Sequence, residues 1–250
     1  MSRARPVDEA TVRERLDRVT DPELDRSIVD LDYVEEMVVE DGTVRIRLRL
    51  PTAWCSPAFA WMMATDAKEG VEALPGVRKT EVRLRDYMHA EEIHRGLAEG
   101  LAFESVFEDA TEGVDSVRAT LDAKARLARQ YEAVEALREA GVRPAQLRTL
   151  RRGDVTLRDD GVADVELADG ALFVSTAAEP VASYLEKATA VGVATAADDP
   201  LFATPEGDPI PPGEFEVTHR RARLAKTNLD GQGGLCAGLH RARNGESTTT

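Results

Sequence analysis

A strictly alternating segment constrains the fold of this chain more than any other feature. From Val44 to Leu50 the sequence reads Val-Arg-Ile-Arg-Leu-Arg-Leu. Successive side chains of a β-strand point to opposite faces, so this period of two predicts a strand. Ile46, Leu48 and Leu50 would face a core, with the arginines on the opposite face. The segment therefore indicates a sheet with one buried face.

The neighbouring segments complete a small α/β (α+β) unit. Asp41-Gly42 is a strong two-residue hairpin signal that joins the alternating strand to the strand before it. Ser56-Pro57 is typical of a helix N-cap followed by proline at the first helical position. A third strand is predicted at 77–85 and an opening amphipathic helix at 8–19. Residues 7–88 are thus predicted to form a small three-stranded sheet with two helices.

The remainder of the chain is mainly helical in its periodicity. It divides into a helical transition at 89–114, a mostly helical C-terminal domain with short strands at 115–244, and a disordered tail at 245–250. Two separate helices are predicted near the end of that domain, at about 215–226 and 232–243.

Composition limits the classes of partner. The net charge is −14, which argues against nucleic acid as a partner because binding phosphate needs basic patches. No apolar run approaches the roughly 20 residues that span a bilayer, and no apolar segment follows the first residues as in a secretory signal. Two distant cysteines do not make a disulfide framework. We therefore expect an acidic, two-domain, cytoplasmic protein that has no membrane partner.

Cys55 is the first candidate for chemistry. It stands where a strand ends and a helix should begin, and the free N–H groups and dipole of a helix start favour a thiolate. Asp21 and Glu23 lie upstream on a loop bent by proline. A thiolate with nearby carboxylates suggests iron or zinc chemistry. The alternative is a small buried hydrophobic residue, which free cysteine often is.

Three motifs together resemble those of the metal–sulfur cluster assembly domain. Residues 21–31 (DPELDRSIVDL) are similar to its DPE…IVDLG signature, and Thr52 and Cys55 fall at its T…C element. Residues 74–77 (LPGV) match its turn into the last strand. The domain occurs in SufT-like iron–sulfur maturation factors and PaaD-like accessory proteins. Two departures are visible: Asp32 stands where the family usually has glycine, and residues 56–61 (SPAFAW) differ from the common form after the cysteine.

The resemblance implies a non-catalytic maturation factor that transiently binds an iron–sulfur cluster, or iron, and delivers it to a client enzyme. Cys55 would be the metal ligand, with Asp21, Glu23 and Thr52 around the cofactor. The implied partners are an apo-metalloenzyme client and cluster assembly proteins, and the PaaD-like members suggest a multicomponent oxygenase. A single thiolate per chain implies that two chains, or a chain and its client, share the cluster, so a homodimer is one expected arrangement.

Two pairs of residues elsewhere have helical spacing that suits a metal. Cys236 and His240 are four apart and share a helix face, so they would complete a metal site with Cys55. The alternative is a buried cysteine and a surface histidine. Glu91 and His94 have the Glu-x-x-His spacing of di-iron bundles; the alternative for them is a polar helix surface.

Other functions compete with cluster delivery. An enzyme with Cys55 as nucleophile would need a base, and His89 and His94 are the nearest histidines in sequence. A protein–protein adaptor would use Cys55 only for packing. The C-terminal half also has a weak resemblance to the tyrosine recombinase catalytic domain, at residues 140–150 and 200–207 and in a His-x-x-Arg motif ending at Arg243. No tyrosine follows Arg243, so strand cleavage is not expected, and the resemblance is read as coincidence or a non-catalytic relic.

Overall fold

The computed structural model describes residues 7–110, 113–167, 170 and 172–244, so the predicted tail at 245–250 lies outside the described residues. The chain divides into two compact units. The first contains the residues up to Arg118 together with those from Gly231 onward, and the second is Ala119–Asp230. The domain boundaries drawn from the sequence, with a C-terminal domain at 115–244, stay a prediction.

The first unit is a mixed α/β structure. Its elements are α1 Glu9–Leu16, β1 Thr20–Asp21, β2 Arg26–Ser27, β3 Val34–Glu40, β4 Thr43–Leu48, α2 Pro57–Glu72, β5 Lys79–Leu84, α3 Ala90–Glu99 and α4 Phe103–Val106. The short strands β1 and β2 pair with each other, and the main sheet has the order β3-β4-β5. Strands β3 and β4 are antiparallel, whereas β4 and β5 are parallel and are joined through α2. A helical crossover of this kind is what a parallel pair requires.

The alternating strand has the predicted orientation. Ile46, Leu48 and Leu50 are at most 1% exposed, whereas the arginines between them are exposed or half-buried. The β3–β4 hairpin turns through Asp41 and Gly42, whose φ angles of +47° and +74° belong to the primed turn class expected from the Asp-Gly pair. Both predictions are confirmed.

The second unit is mainly helical. The sequence boundaries between the units fall inside two long helices, α5 Val114–Glu139 and α8 Phe215–Asn244. The other elements are α6 Pro144–Leu147, a 3-10 turn at Arg152–Asp154, β6 Val155–Leu157, β7 Val162–Leu167, β8 Leu172–Ala177 and α7 Ala178–Ala190. The three strands form an antiparallel sheet in sequence order, and Tyr184 and Phe202 lie in the core of the unit. The predicted fold class, α/β with a mostly helical C-terminal region, is confirmed.

Helix α8 corrects one sequence prediction. The separate helices expected at about 215–226 and 232–243 are one continuous helix from Phe215 to Asn244. Several glycines lie in its C-terminal half, but glycine weakens a helix by only about 1 kcal/mol relative to alanine, and no proline interrupts the segment. Among the described residues, no helix combines the length and the apolar character that a membrane span needs.

Candidate functional site

Cys55 lies in the loop that links β4 to α2. Ser56 is the N-cap residue of α2 and Pro57 is its first residue, as the sequence predicts. Two contacts hold the loop: the Tyr87 hydroxyl donates to the Cys55 carbonyl (2.8 Å), and the Met88 N–H donates to the Ala53 carbonyl (3.1 Å). The loop therefore presents the Cys55 side chain from a defined backbone position.

Thr52 shapes the same loop. Its Oγ1 accepts a hydrogen bond from the Trp54 N–H at 3.2 Å, a local turn of the kind that threonine favours. The Trp54 side chain, next to Cys55, is 74% exposed. Thr52 thus acts on the backbone of the loop, and its hydroxyl oxygen is engaged there.

Asp21 is a buried carboxylate at the β1–β2 hairpin, only 4% exposed. Its Oδ1 accepts hydrogen bonds from the backbone N–H groups of Glu23 (2.9 Å) and Leu24 (3.2 Å). Its Oδ2 accepts from the hydroxyl of Tyr33 at 3.3 Å. Both oxygens are therefore used to hold the hairpin, which gives Asp21 a shaping role in this structure.

The carboxylates act on the Cys55 thiol. Burial first, and then the negative charges of Asp21 and Glu23, raise the pKa of Cys55 to about 12. The Ser56 N–H at the helix start lowers this pKa, as the sequence predicts, but burial and the carboxylates outweigh it. With this pKa the Cys55 thiol is protonated at neutral pH.

Cys236 belongs to the same surroundings. It is half-buried on the C-terminal part of α8 and packs against the core of the first unit, as Cys55 does. Burial, and then the charges of Asp21 and Glu23, raise the pKa of the Cys236 thiol as well. The first unit thus brings Cys55, Cys236 and both predicted carboxylates into one region.

The neighbours of Cys236 on α8 contact the Asp21 hairpin region directly. The Gln232 side-chain amide donates to Glu23 Oε1 at 3.0 Å. The ring of His240 packs on the ring of Tyr33, with centroids 5.4 Å apart. His240 is only 7% exposed, so its alternative interpretation as a surface histidine is wrong.

Sequence reasoning missed Tyr33 and Gln232 as members of this region. Tyr33 has no motif of its own in this chain, and Gln232 is 209 residues away from Glu23 in sequence. Arg243 was considered only for the recombinase resemblance. In the structure it donates to the Leu50 carbonyl at 2.7 Å and to the Asp86 carbonyl, which lies just before Tyr87. No local sequence pattern predicts contacts between residues so far apart in sequence.

The other candidate histidines have structural contacts. His94 Nε2 accepts a hydrogen bond from the Leu84 N–H at 2.8 Å and its side chain is only 10% exposed, so the polar-surface alternative does not describe it. The His89 ring packs edge-on against Phe107 and lies near Glu92. Neither contact directs a histidine toward Cys55 as a base.

The donor set suits a partial metal site. Throughout the described ranges, no group of three or more His, Cys, Asp and Glu side chains is arranged to hold a metal ion. The first unit instead offers soft sulfur donors beside carboxylates that already accept hydrogen bonds. Sulfur suits iron and its clusters, and further ligands would have to come from outside this set.

Comparison with known proteins also points to iron–sulfur cluster assembly. The profile of the family described as "Iron-sulfur cluster assembly protein" matches residues 9–84. An uncharacterized protein of Methanocaldococcus jannaschii is 34% identical over 94 residues, which cover 37% of this chain and 97% of that protein. The iron-sulfur cluster carrier protein of Synechocystis sp. is 36% identical over 66 residues, which cover 26% of this chain but only 18% of that protein.

The profile match covers the part of the chain that carries the Asp21 hairpin, Thr52 and Cys55. The comparisons lend no support to the weak resemblance to tyrosine recombinases. Arg143, which lies in the 140–150 segment of that resemblance, belongs to the second compact unit, whereas Arg243 belongs to the first. Through its N-terminal segment, the chain belongs to the iron–sulfur cluster assembly protein family.

Proposed function

We propose that this protein receives an iron–sulfur cluster, or iron, and passes it to an apo-metalloenzyme without catalysing a reaction of its own. The observation that carries the proposal is the position of Cys55. It is a free thiol in the segment that matches the family, held in a loop at the start of α2 beside the buried Asp21. Thiolate sulfur is the donor that iron–sulfur clusters use.

The arrangement suits temporary binding. Structural metal sites are closed by four ligands, whereas transfer requires a site that can release its cargo. In the proposed role Cys55 is the transient ligand, while Asp21, Glu23 and Thr52 shape the site through the hydrogen bonds described above. The charges of Asp21 and Glu23 that disfavour a bare thiolate favour a cationic cargo at the same place.

An exposed apolar side chain stands next to the thiol. Trp54 is 74% exposed and Met88, whose N–H holds the Cys55 loop, is 54% exposed. Exposed aromatic residues and methionine are enriched where proteins bind one another. We propose that an incoming client or assembly protein contacts Trp54, so that cluster transfer occurs between adjoining surfaces.

The finer identity of the partners is also part of the proposal. A multicomponent oxygenase is the client class that the PaaD-like resemblance suggests, and a homodimer would let two Cys55 thiolates share one cluster. We propose a cytoplasmic setting, since the two cysteines are free and thiols stay reduced there.

The test is a Cys55→Ser variant measured for stability and for function. Serine has nearly the same volume, but its hydroxyl is a hard, poorly ionised ligand. We expect anaerobically reconstituted iron and sulfide binding, and client activation in cells at matched protein level, to be lost. If Cys55 only packs, the thermal midpoint should fall through a cost of roughly 1–2 kcal/mol for burying a hydroxyl, and client activity should follow the amount of folded protein.

Ala53→Ser is the matched control, because it adds a hydroxyl to the same half-buried loop and leaves the thiol in place. This control should retain cluster binding and client activation. A stable Cys55→Ser protein that fully supports the client would contradict the ligand role and favour an adaptor.

A further inference from the structure

The C-terminal part of α8 presents one stripe of side chains to the first unit. Gln232, Cys236 and His240 are spaced by four residues and Arg243 follows three later, so they share one helix face. Three of the four have defined contacts. Gln232 is hydrogen-bonded to Glu23, the His240 ring packs against the Tyr33 ring, and Arg243 donates to the Leu50 carbonyl.

Two of these contacts flank Cys236, one a helical turn before it and one a turn after it. One turn before it, Gln232 reaches the β1–β2 hairpin at 3.0 Å from Glu23 Oε1. One turn after it, the His240 ring packs at a tilt against the ring of Tyr33, whose hydroxyl donates to Asp21 Oδ2. Side chains one turn apart on a helix lie in a row, so the Cys236 side chain faces the space between Glu23 and Tyr33. Arg243, on the same stripe, donates to the Leu50 and Asp86 carbonyls, and Tyr87 next to Asp86 holds the Cys55 carbonyl.

We infer that Cys236 is a second sulfur ligand for the same cargo as Cys55, so that a single chain offers a two-thiolate site for a soft divalent cation or a cluster edge. This inference rests on the proposed function of Cys55 and extends it. The proposed donor set is the two sulfurs, with the remaining ligands from water, sulfide or a partner. The C-terminal helix thereby contributes a ligand that the matched segment, residues 9–84, does not contain.

The binding step is balanced as a proton exchange. Each thiol forms one sulfur–metal bond and releases one proton to solvent, so a divalent ion bound by both sulfurs displaces two protons. No electron is transferred. The carboxylates of Asp21 and Glu23 offset part of the positive charge of the ion from close by.

Cadmium ion is a suitable probe, because it is soft, does not change oxidation state, and gives an ultraviolet sulfur-to-metal charge-transfer absorption that scales with the number of thiolate bonds. The reduced, full-length protein would be titrated under anaerobic conditions, with Cys55→Ser and Cys236→Ser in parallel. We expect the absorption per bound cadmium to fall to about half in each variant, and the Kd to rise by roughly tenfold or more.

Leu235→Ser is the matched control, since Leu235 neighbours Cys236 on α8 but is 66% exposed and off the stripe. It should bind like the wild type. Cys236→Ala provides a second replacement without a buried hydroxyl, and circular dichroism would verify that every variant is folded.

The outcomes separate this inference from the proposed function. If Cys236→Ser and Cys236→Ala retain the wild-type absorption and Kd while Cys55→Ser loses binding, the second-ligand inference is wrong and the role of Cys55 stands. If Cys55→Ser also binds like the wild type, or if the wild type does not bind cadmium, both are wrong. A halving of the absorption per bound cadmium in each single-cysteine variant supports the two-sulfur site.

Discussion

Asp32 occupies a backbone position that most residues avoid. Its φ angle is +58°, and its side chain is exposed. The left-handed region is free of strain for glycine, and aspartate and asparagine enter it more readily than other residues. This explains one of the departures from the family pattern, because the usual glycine and this aspartate both suit the same backbone turn before β3.

A substitution series at Asp32 tests this reasoning. Asp32→Val should lower the free energy of unfolding by about 1–2 kcal/mol, because a β-branched residue is strained in the left-handed region, whereas Asp32→Gly should change it by less than about 0.5 kcal/mol. Urea unfolding measures both. Asp30→Val, at an exposed position without positive φ, is the control and should be nearly neutral. Equal effects of valine at both positions would contradict the argument.

His94 is a half-buried base, and only its neutral ring can accept the hydrogen bond from the Leu84 N–H. Its Nε2 accepts from the Leu84 N–H and thereby ties α3 to the end of β5. Burial first, and then the positive charge of Arg83, lower the pKa of His94, while Glu91 acts in the opposite direction. A lowered pKa means that the folded protein resists protonation of the ring more than the unfolded chain does.

The pH dependence follows from that direction. The unfolded histidine takes up a proton near pH 6.5, so the contribution of His94 to stability is present above that pH and is lost as the pH falls below it. His94→Gln keeps an acceptor for the Leu84 N–H but cannot be protonated. Between about pH 6.5 and 5, the unfolding free energy of the wild type should therefore fall more steeply than that of the variant. Parallel pH profiles from urea titrations would refute this.

At the scale of elements, the glycines of α8 differ from the glycine of α3. A Cβ atom added to Gly233 or Gly234 would meet nothing within 4 Å. A Cβ atom on Gly96 would lie 2.6 Å from the Trp61 ring and 2.7 Å from a Val106 methyl group. Gly96 is thus required by the close packing of α3, whereas the glycines of α8 only weaken their helix.

Alanine substitutions should therefore change the free energy of unfolding in opposite directions in the two helices. Gly233→Ala and Gly234→Ala should each raise the free energy of unfolding by about 0.5–1 kcal/mol, since alanine is the better helix former. Gly96→Ala should lower it by roughly 1–3 kcal/mol through overpacking against Trp61. Chemical denaturation of the three variants gives the signs, and a stabilising Gly96→Ala would contradict the packing described for α3.

At the scale of the whole molecule, the first compact unit is discontinuous in sequence. It is completed by the residues from Gly231 onward, which follow the contiguous second unit. Both tryptophans of the protein, Trp54 and Trp61, belong to the first unit. Tryptophan fluorescence therefore reports on that unit alone, whereas far-ultraviolet circular dichroism reports on the entire chain.

Truncation after Asp230 uses this difference. It removes the Gln232–Glu23 and Arg243–Leu50 hydrogen bonds and the packing of His240 on Tyr33. At about 0.5–1.5 kcal/mol for each hydrogen bond, we expect the first unit to lose roughly 1–3 kcal/mol. The fluorescence-detected midpoint should shift to lower urea concentration. An unchanged fluorescence transition would show that the first unit does not depend on the end of α8.

The sequence alone determined the local structure of the N-terminal segment and the candidacy of Cys55. A strict period of two, an Asp-Gly turn and a Ser-Pro helix start each act over a few residues, so the strand, hairpin and helix of this segment are confirmed. The family motifs likewise lie within that continuous stretch, and the matching profile covers residues 9–84.

Only the tertiary structure decided what surrounds the thiol. The high pKa of Cys55 depends on burial and on carboxylates from another loop, which no local pattern contains. The placement of Gln232 and Cys236 beside Glu23 depends on a helix that returns after the whole second unit, across 209 residues of sequence. Local periodicity sets backbone conformation, whereas desolvation and charge at one atom are set by every chain segment that packs around it.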